Sequence, residues 1–179
     1  MSEPAALAPE RIADLLAASA TTVVAELVAL GSAGGWRPAP GEWSANECVG
    51  HLIEAERRGF AGRIRRILAT DRPDIPADLE RWDPPAVARS RRDHLRSGAE
   101  LAAEFAAMRA DGVSLVRSLG LAELDRVGIH PDVGPLRVDE LLGEWVHHDR
   151  NHTRQLLAVT QSRVWAQMGN ARRFSLEDL

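Results

Sequence analysis

Length, composition and charge restrict this chain to a narrow class of proteins. It has 179 residues, of which 45% are hydrophobic and 27% charged, and its formal net charge is −4. This composition is typical of one globular domain and argues against disorder. All 22 basic residues are arginine, a bias that we attribute to a GC-rich genome. The negative charge and the lack of a basic stripe argue against a protein that binds nucleic acid.

The N-terminus and the cysteine content predict a cytoplasmic protein. Cys48 is the single cysteine, so no internal disulfide can form, which favours a reducing compartment. The first residues lack the basic-then-apolar profile of a signal peptide. No apolar run was expected to approach the ~20 residues of a membrane span. We therefore expect neither a membrane nor a nucleic-acid partner.

The first half of the chain predicts two long helices. Apolar residues recur at helical spacing from about residue 9 to residue 30, where Gly31 ends the pattern. The second helix begins at Ser44, since Ser44-Ala45-Asn46-Glu47 has the sequence of a capping box. It is expected to extend to about Thr70. Its arginines, among them Arg63, alternate with apolar residues and are expected on the solvated side.

The second half predicts two more helices. The third runs from residues 86–91 to about Leu119, and the fourth from Val138 to Trp165 or Met168. Residues 71–85 and 120–136 are expected to be loops. The expected core seam of the third helix consists of Leu95, Ala99, Ala102, Ala106, Val113 and Val116. Four long helices with two longer connections predict an all-α fold, a four-helix bundle. Residues 1–169 form its single domain and 170–179 a C-terminal tail.

The fourth helix contains half of the chain's six histidines. His148 and His152 are four residues apart, so their Cβ atoms lie about 5–6 Å apart on one face and can share a metal ion. Alternatively, the pair is a polar element of the core, hydrogen-bonded to its neighbours. His147 lies about 100° away and is expected on the surface. The expected inward seam consists of Leu141, Trp145, His148, His152, Gln155 and Val159. The Glu of a His-Glu-x-x-His zinc protease is absent.

Spacing alone leaves the third ligand open. His94 lies among arginines, and His130 precedes Pro131 in a Gly/Pro-rich segment, so both are expected at the surface. His51 lies about two turns into the second helix, at the margin of its apolar stripe. Periodicity does not select it.

Two sequence motifs resemble those of the DinB/YfiT-like superfamily. The first comprises Trp36-Arg37-Pro38, Pro40-Gly41-Glu42-Trp43-Ser44-Ala45 and Gly50-His51-Leu52. The second is His148-Asp149-Arg150-Asn151-His152-Thr153-Arg154-Gln155. The similarity extends from about residue 8 to residue 165. It departs at Arg137, where a Ser or Thr helix cap is more usual.

The resemblance implies a four-helix bundle, often homodimeric, in which His51, His148 and His152 bind a divalent metal. Zinc is the metal we expect, and nickel or iron also suits three imidazoles. Members with known activity include S-transferases that use thiols such as bacillithiol or mycothiol, and a thiol-dependent isomerase. The resemblance therefore implies a metal-dependent transferase that acts on a small electrophile. One alternative is a non-catalytic metal-binding or structural bundle with a role in the stress response. Another is a DNA-damage-response protein that acts on nucleic acid, which the negative charge disfavours.

Several residues near the two motifs are candidates for supporting roles. Glu144, Asp149 and Gln155 can orient metal ligands. Cys48 stands one turn before His51 and is expected to be a small buried hydrophobic residue. The nearby tryptophans are expected to line the pocket or to anchor its loops: Trp43, Trp145 and Trp82.

Overall fold

The computed structural model describes residues 6–176, and it confirms the predicted all-α bundle. Its helices are α1 (Pro9–Leu30), α2 (Ala45–Glu54), α3 (Ala61–Leu68), α4 (Pro84–Arg91), α5 (Gly98–Arg117), α6 (Leu121–Leu124), α7 (Val138–Trp165) and α8 (Arg172–Leu176). Its strands are β1 (Ala77–Asp78), β2 (Val127–His130) and β3 (Gly134–Arg137). The bundle consists of α1, α2, α5 and α7. Helix α1 packs against α5 and α7, and α2 packs against the same two helices.

The predicted second helix starts as expected but is not continuous. The Ser44 hydroxyl accepts a hydrogen bond from the Glu47 amide at 3.2 Å, and the Glu47 carboxylate accepts one from the Ser44 amide at 2.9 Å. After Glu54 the chain makes a π-turn, in which the Phe60 amide donates to the Ala55 carbonyl at 2.8 Å. This extra residue per turn divides the predicted helix into α2 and α3.

The predicted third helix is broken, and its seam is confirmed at Ala102, Val113 and Val116 but wrong at the other three positions. Arg92 has a left-handed φ of 52° between α4 and α5. The buried Asp93 then accepts a hydrogen bond from Arg91 at 2.6 Å, and its carboxylate occupies the space beside Gly50 of α2. Because α5 restarts after this break, its buried face is rotated: Leu95, Ala99 and Ala106 are exposed, whereas Leu101, Ala102, Phe105, Arg109, Gly112, Val113 and Val116 are buried.

The segment predicted as a loop at 120–136 contains a short helix and a β-hairpin. Strands β2 and β3 pair antiparallel, with Val127 opposite Arg137 and His130 opposite Gly134. Strand β1 adds in parallel to β2, so the three strands form one small sheet. The strands have four residues or fewer, too few for alternation to be recognised in a sequence. The sheet lies against α3.

Helix α1 is more apolar than the sequence reading allowed. Within Pro9–Gly35 an 18-residue segment has a mean hydropathy of 1.7, so this helix is long and apolar enough to cross a membrane, and the expectation that no apolar segment approaches this length is not met. Such a stretch is also typical of a core helix in a bundle. Leu16, Val23 and Leu27 of α1 are buried against the other helices.

The core consists of two apolar clusters with a polar layer between them. One cluster contains Leu16, Val113 and Trp145, and the other contains Val23, Phe105 and Leu156. The polar layer lies between these two clusters and contains one buried residue from each of three helices: Ser19 from α1, Arg109 from α5 and Asp149 from α7. The histidines of the second motif lie at the level of this layer.

Candidate metal centre

Three histidines from two neighbouring helices meet at the edge of the polar layer. His51 comes from α2, and His148 and His152 come from consecutive turns of α7. One nitrogen from each ring lies within 4.8 Å of the others. The Nε2 atoms of His51 and His148 are 3.0 Å apart. Three imidazoles at this separation can hold one ion.

The ring nitrogens are arranged as a metal requires. His152 donates from Nδ1 to the Gln155 side-chain oxygen at 2.9 Å, which leaves the Nε2 lone pair free. Nδ1 of His148 is buried and has no hydrogen-bond partner among the described residues. The Nε2 atoms of His51 and His148 face each other at 3.0 Å, so either one donates a hydrogen bond to the other or both direct their lone pairs at a bound cation. A cation between the rings would be bound by the Nε2 lone pairs of the three imidazoles, so the donor set fits a divalent metal.

Burial keeps all three imidazoles neutral. Desolvation, together with the neighbouring His152 and His148, lowers the pKa of His51 to about 3. Desolvation lowers the pKa of His148 to about 4, with a contribution from His152. The pKa of His152 is lowered by burial as well. Neutral imidazole is the metal-binding form, so the site is ready to bind near neutral pH.

The triad lies at the margin of the buried face of α7 and not in its centre. The most buried residues of α7 include Trp145, Asp149, Thr153 and Leu156, whereas His148 and His152 are half-buried. The seam predicted through the histidines was therefore displaced by one residue. Asp149, which was expected to orient metal ligands, is instead buried in the core, where Arg109 neutralises it. A marginal position leaves one side of the triad facing a cavity.

Comparison with known families agrees with this geometry. Residues 24–156 match the family model described as the DinB superfamily. The chain belongs to the DinB superfamily. A solved structure with the same fold is described as "YfiT from Bacillus subtilis is a probable metal-dependent hydrolase with an unusual four-helix bundle topology"; it has a TM-score of 0.74 and 13% identity, over 90% of this chain and 92% of that one. No curated protein matches the chain significantly.

Aromatic rings surround the triad of this DinB protein. Trp43 lies 5.1 Å from His51 between ring centroids and stacks on His152 at 6.0 Å. Trp82 stacks on His51 at 6.1 Å, so it does more than anchor its own loop. Phe60 lies edge-on to His148 at 5.2 Å. The second tryptophan expected to line the pocket, Trp145, is instead buried behind Phe60, on which it stacks.

The polar layer behind the triad is centred on Arg109, which is 2% exposed. It pairs with Glu56 of the π-turn and donates to both carboxylate oxygens of Asp149, at 2.6 and 2.9 Å. It also donates to the Leu16 carbonyl at 2.8 Å, and the hydroxyl of Ser19 donates to Asp149. Sequence reasoning missed this network. Its one visible signal was an arginine within an apolar stripe of the third helix.

Not all of the residues that were expected to support the metal site lie where the sequence predicted. Gln155 contacts a triad imidazole, as expected. Asp149 is bound to Arg109 and forms no hydrogen bond with a histidine of the described chain. Glu144 is 61% exposed at the rim, 3.9 Å from Nδ1 of His147. Cys48 is fully buried, and burial raises the pKa of its thiol to about 12, which suits an inert hydrophobic residue.

The other histidines and one arginine are placed differently from expectation. His147 is exposed, as predicted. His130, expected at the surface, is buried at the end of β2 and lines the same cavity as His51. His94 is half-buried beside Arg37, 3.3 Å from its guanidinium. Arg63, expected in solvent, is half-buried and lines the cavity. The small sheet, which the sequence did not predict, packs against α3 and encloses the side chains of Arg63 and His130.

Proposed function

We propose that this chain binds one divalent metal ion through His51, His148 and His152 and acts as a metal-dependent transferase, joining a low-molecular-weight thiol to a small electrophile. The observation that carries the proposal is the set of three neutral imidazoles with two facing Nε2 atoms, those of His51 and His148, at the wall of a cavity. Zinc matches the donor set best, and nickel or iron also suits it.

The metal, when bound, would supply positive charge that favours the thiolate form of a coordinated thiol. The protein's own residues hold the ligand set and its surroundings. Gln155 fixes the ring of His152 through the 2.9 Å hydrogen bond. Trp43 and Trp82 cover the ring faces of His152 and His51 and exclude water there. A drier site strengthens every charge interaction within it.

The proposed thiol transfer does not require a positioned base. No carboxylate of the described residues forms a hydrogen bond with a triad imidazole; the nearest candidate by sequence, Asp149, is held by Arg109. A thiol held by the three histidines through a metal would lose its proton to solvent without a general base. Its sulfur would form the new bond to the electrophile, whose leaving group would depart with the bonding electrons. Bacillithiol and mycothiol are cytoplasmic thiols, so the proposal includes a cytoplasmic location.

A thiol-transfer screen tests this function. Zinc-loaded protein is mixed with bacillithiol or mycothiol and chlorodinitrobenzene, and release of chloride is followed over time. The proposal predicts turnover that is lost in His148→Ala and kept in the matched control His147→Ala, whose ring is exposed. A zinc-loaded protein that transfers neither thiol contradicts the transferase and leaves the non-catalytic bundle. Thiol-independent hydrolysis of an ester would instead favour a hydrolase, the activity attributed to YfiT.

A further inference from the structure

A cavity of about 550 Å³ adjoins the triad on the side of α3 and the sheet. His51 and His148 form one wall of it. Phe60, Trp82 and Leu136 give it apolar surfaces. Its volume is that of a pocket for a small organic molecule. Polar groups in such pockets usually determine which molecule binds.

Arg63 of α3 brings an uncompensated cation to this cavity. Its Nε is buried without a hydrogen-bond partner, and its side chain forms no ion pair with the described residues. Desolvation lowers its pKa, with no opposing contribution from an acid. The charge also lowers the pKa of His130 on the same cavity, after the larger effect of burial. Arg109, the other buried arginine of the site, has two carboxylate partners instead.

The acidic residues around the cavity are occupied elsewhere. Asp132 pairs with Arg81 at 3.3 Å. Glu140 accepts a backbone hydrogen bond at the start of α7, at 2.8 Å. Glu144 is 61% exposed at the rim. A half-buried guanidinium whose Nε has no partner is incompletely compensated, and the described part of the chain does not supply an anion to Arg63.

We propose that Arg63 binds the carboxylate of a small organic ligand whose apolar part occupies this cavity beside the triad. The proposal rests on the proposed function, because such a ligand would be the substrate or the thiol held next to the metal. A guanidinium can donate paired N–H hydrogen bonds, for example from its two Nη atoms, to both oxygens of a carboxylate. Arg63 therefore selects carboxylates over neutral molecules of the same shape.

Calorimetric titration with benzoate and its neutral analogue benzamide tests the selection. Both probes are titrated into the wild type, Arg63→Gln and the control Arg65→Gln, each zinc-loaded and metal-free. Arg65 is on the same helix but pairs with the exposed Asp111 at 2.7 Å. We expect the wild type to prefer benzoate, and Arg63→Gln to weaken benzoate about 10- to 100-fold while leaving benzamide unchanged. Arg65→Gln should change neither.

The titrations of metal-free protein test the carboxylate site independently of the proposed metal-dependent function. Benzoate selectivity that depends on Arg63 without zinc supports the carboxylate site, even where zinc binding itself fails. Three results would overturn the proposal. The wild type does not bind benzoate, it binds benzoate and benzamide equally, or Arg63→Gln and Arg65→Gln have the same affinity for benzoate. Thermal unfolding adds a second readout. Because the Arg63 charge has no partner, Arg63→Gln should unfold at the same or a higher temperature than Arg65→Gln, and a clearly lower one contradicts the reasoning.

Discussion

Replacing Arg109 by Met should destabilise the fold strongly. The guanidinium is 2% exposed, and it joins α1, the π-turn and α7 through the Leu16 carbonyl, Glu56 and Asp149. Its loss leaves two buried carboxylates without a cation. Breaking a buried ion pair in this way costs about 3–5 kcal/mol. For a chain of this size that corresponds to a fall in Tm of roughly 6–20 °C.

An exposed pair of the same type provides the control. Arg65 and Asp111 are 2.7 Å apart, but their side chains are 45% and 70% exposed. Solvent screens such a pair, so Arg65→Met should cost no more than about 0.5 kcal/mol. Chemical denaturation followed by far-UV circular dichroism measures both variants. Equal destabilisation by Arg109→Met and Arg65→Met would refute the reasoning. Adding Glu56→Gln and Asp149→Asn to Arg109→Met removes the unpaired charges and should recover part of the loss.

Three further predictions concern single side chains. Burial raises the pKa of Glu56 to about 7, so the protonated carboxyl group stabilises the fold fully below the pKa of the unfolded chain, and this stabilisation is lost as the pH rises towards 7. Relative to Glu56→Gln, the free energy of unfolding of the wild type should fall by up to about 3 kcal/mol between pH 5 and pH 8. A constant difference between the two proteins would contradict this. Ser44→Ala removes the 3.2 Å cap of α2 and should cost about 1 kcal/mol in urea unfolding, whereas an unchanged midpoint would show that the cap is dispensable. Gln155→Ala frees the His152 ring and should weaken zinc about 10- to 100-fold in a competition titration, while wild-type affinity would exclude an orienting role.

Local signals in the sequence predicted the bounds of α1 and α7 and the start of α2. The capping box at Ser44 sets the start of α2, and α7 has the predicted bounds Val138–Trp165. Such signals act between neighbours in the chain, so they are visible without tertiary structure. The π-turn after Glu54 and the short strands are not, because they depend on packing against other elements.

The site was harder to predict because amphipathic reasoning assumes one solvent-facing side. All residues of α2 are buried, since the helix is surrounded by other elements. His51 therefore appeared marginal by periodicity although it is 8% exposed. On α7 the same reasoning excluded Asp149 from the core, because its partner Arg109 is 40 residues away in the chain. Only the resemblance to a family brought His51 together with His148.

Metal content tests the central claim most directly. The protein is purified without a tag, loaded with zinc and desalted. Its zinc content is measured by inductively coupled plasma mass spectrometry, and circular dichroism confirms that it is folded. The triad predicts one zinc per chain in the wild type and in His147→Ala, and none in folded His51→Ala or His148→Ala. Stoichiometric zinc that persists in either triad variant, or no zinc in the wild type, would contradict a metal centre at these three histidines.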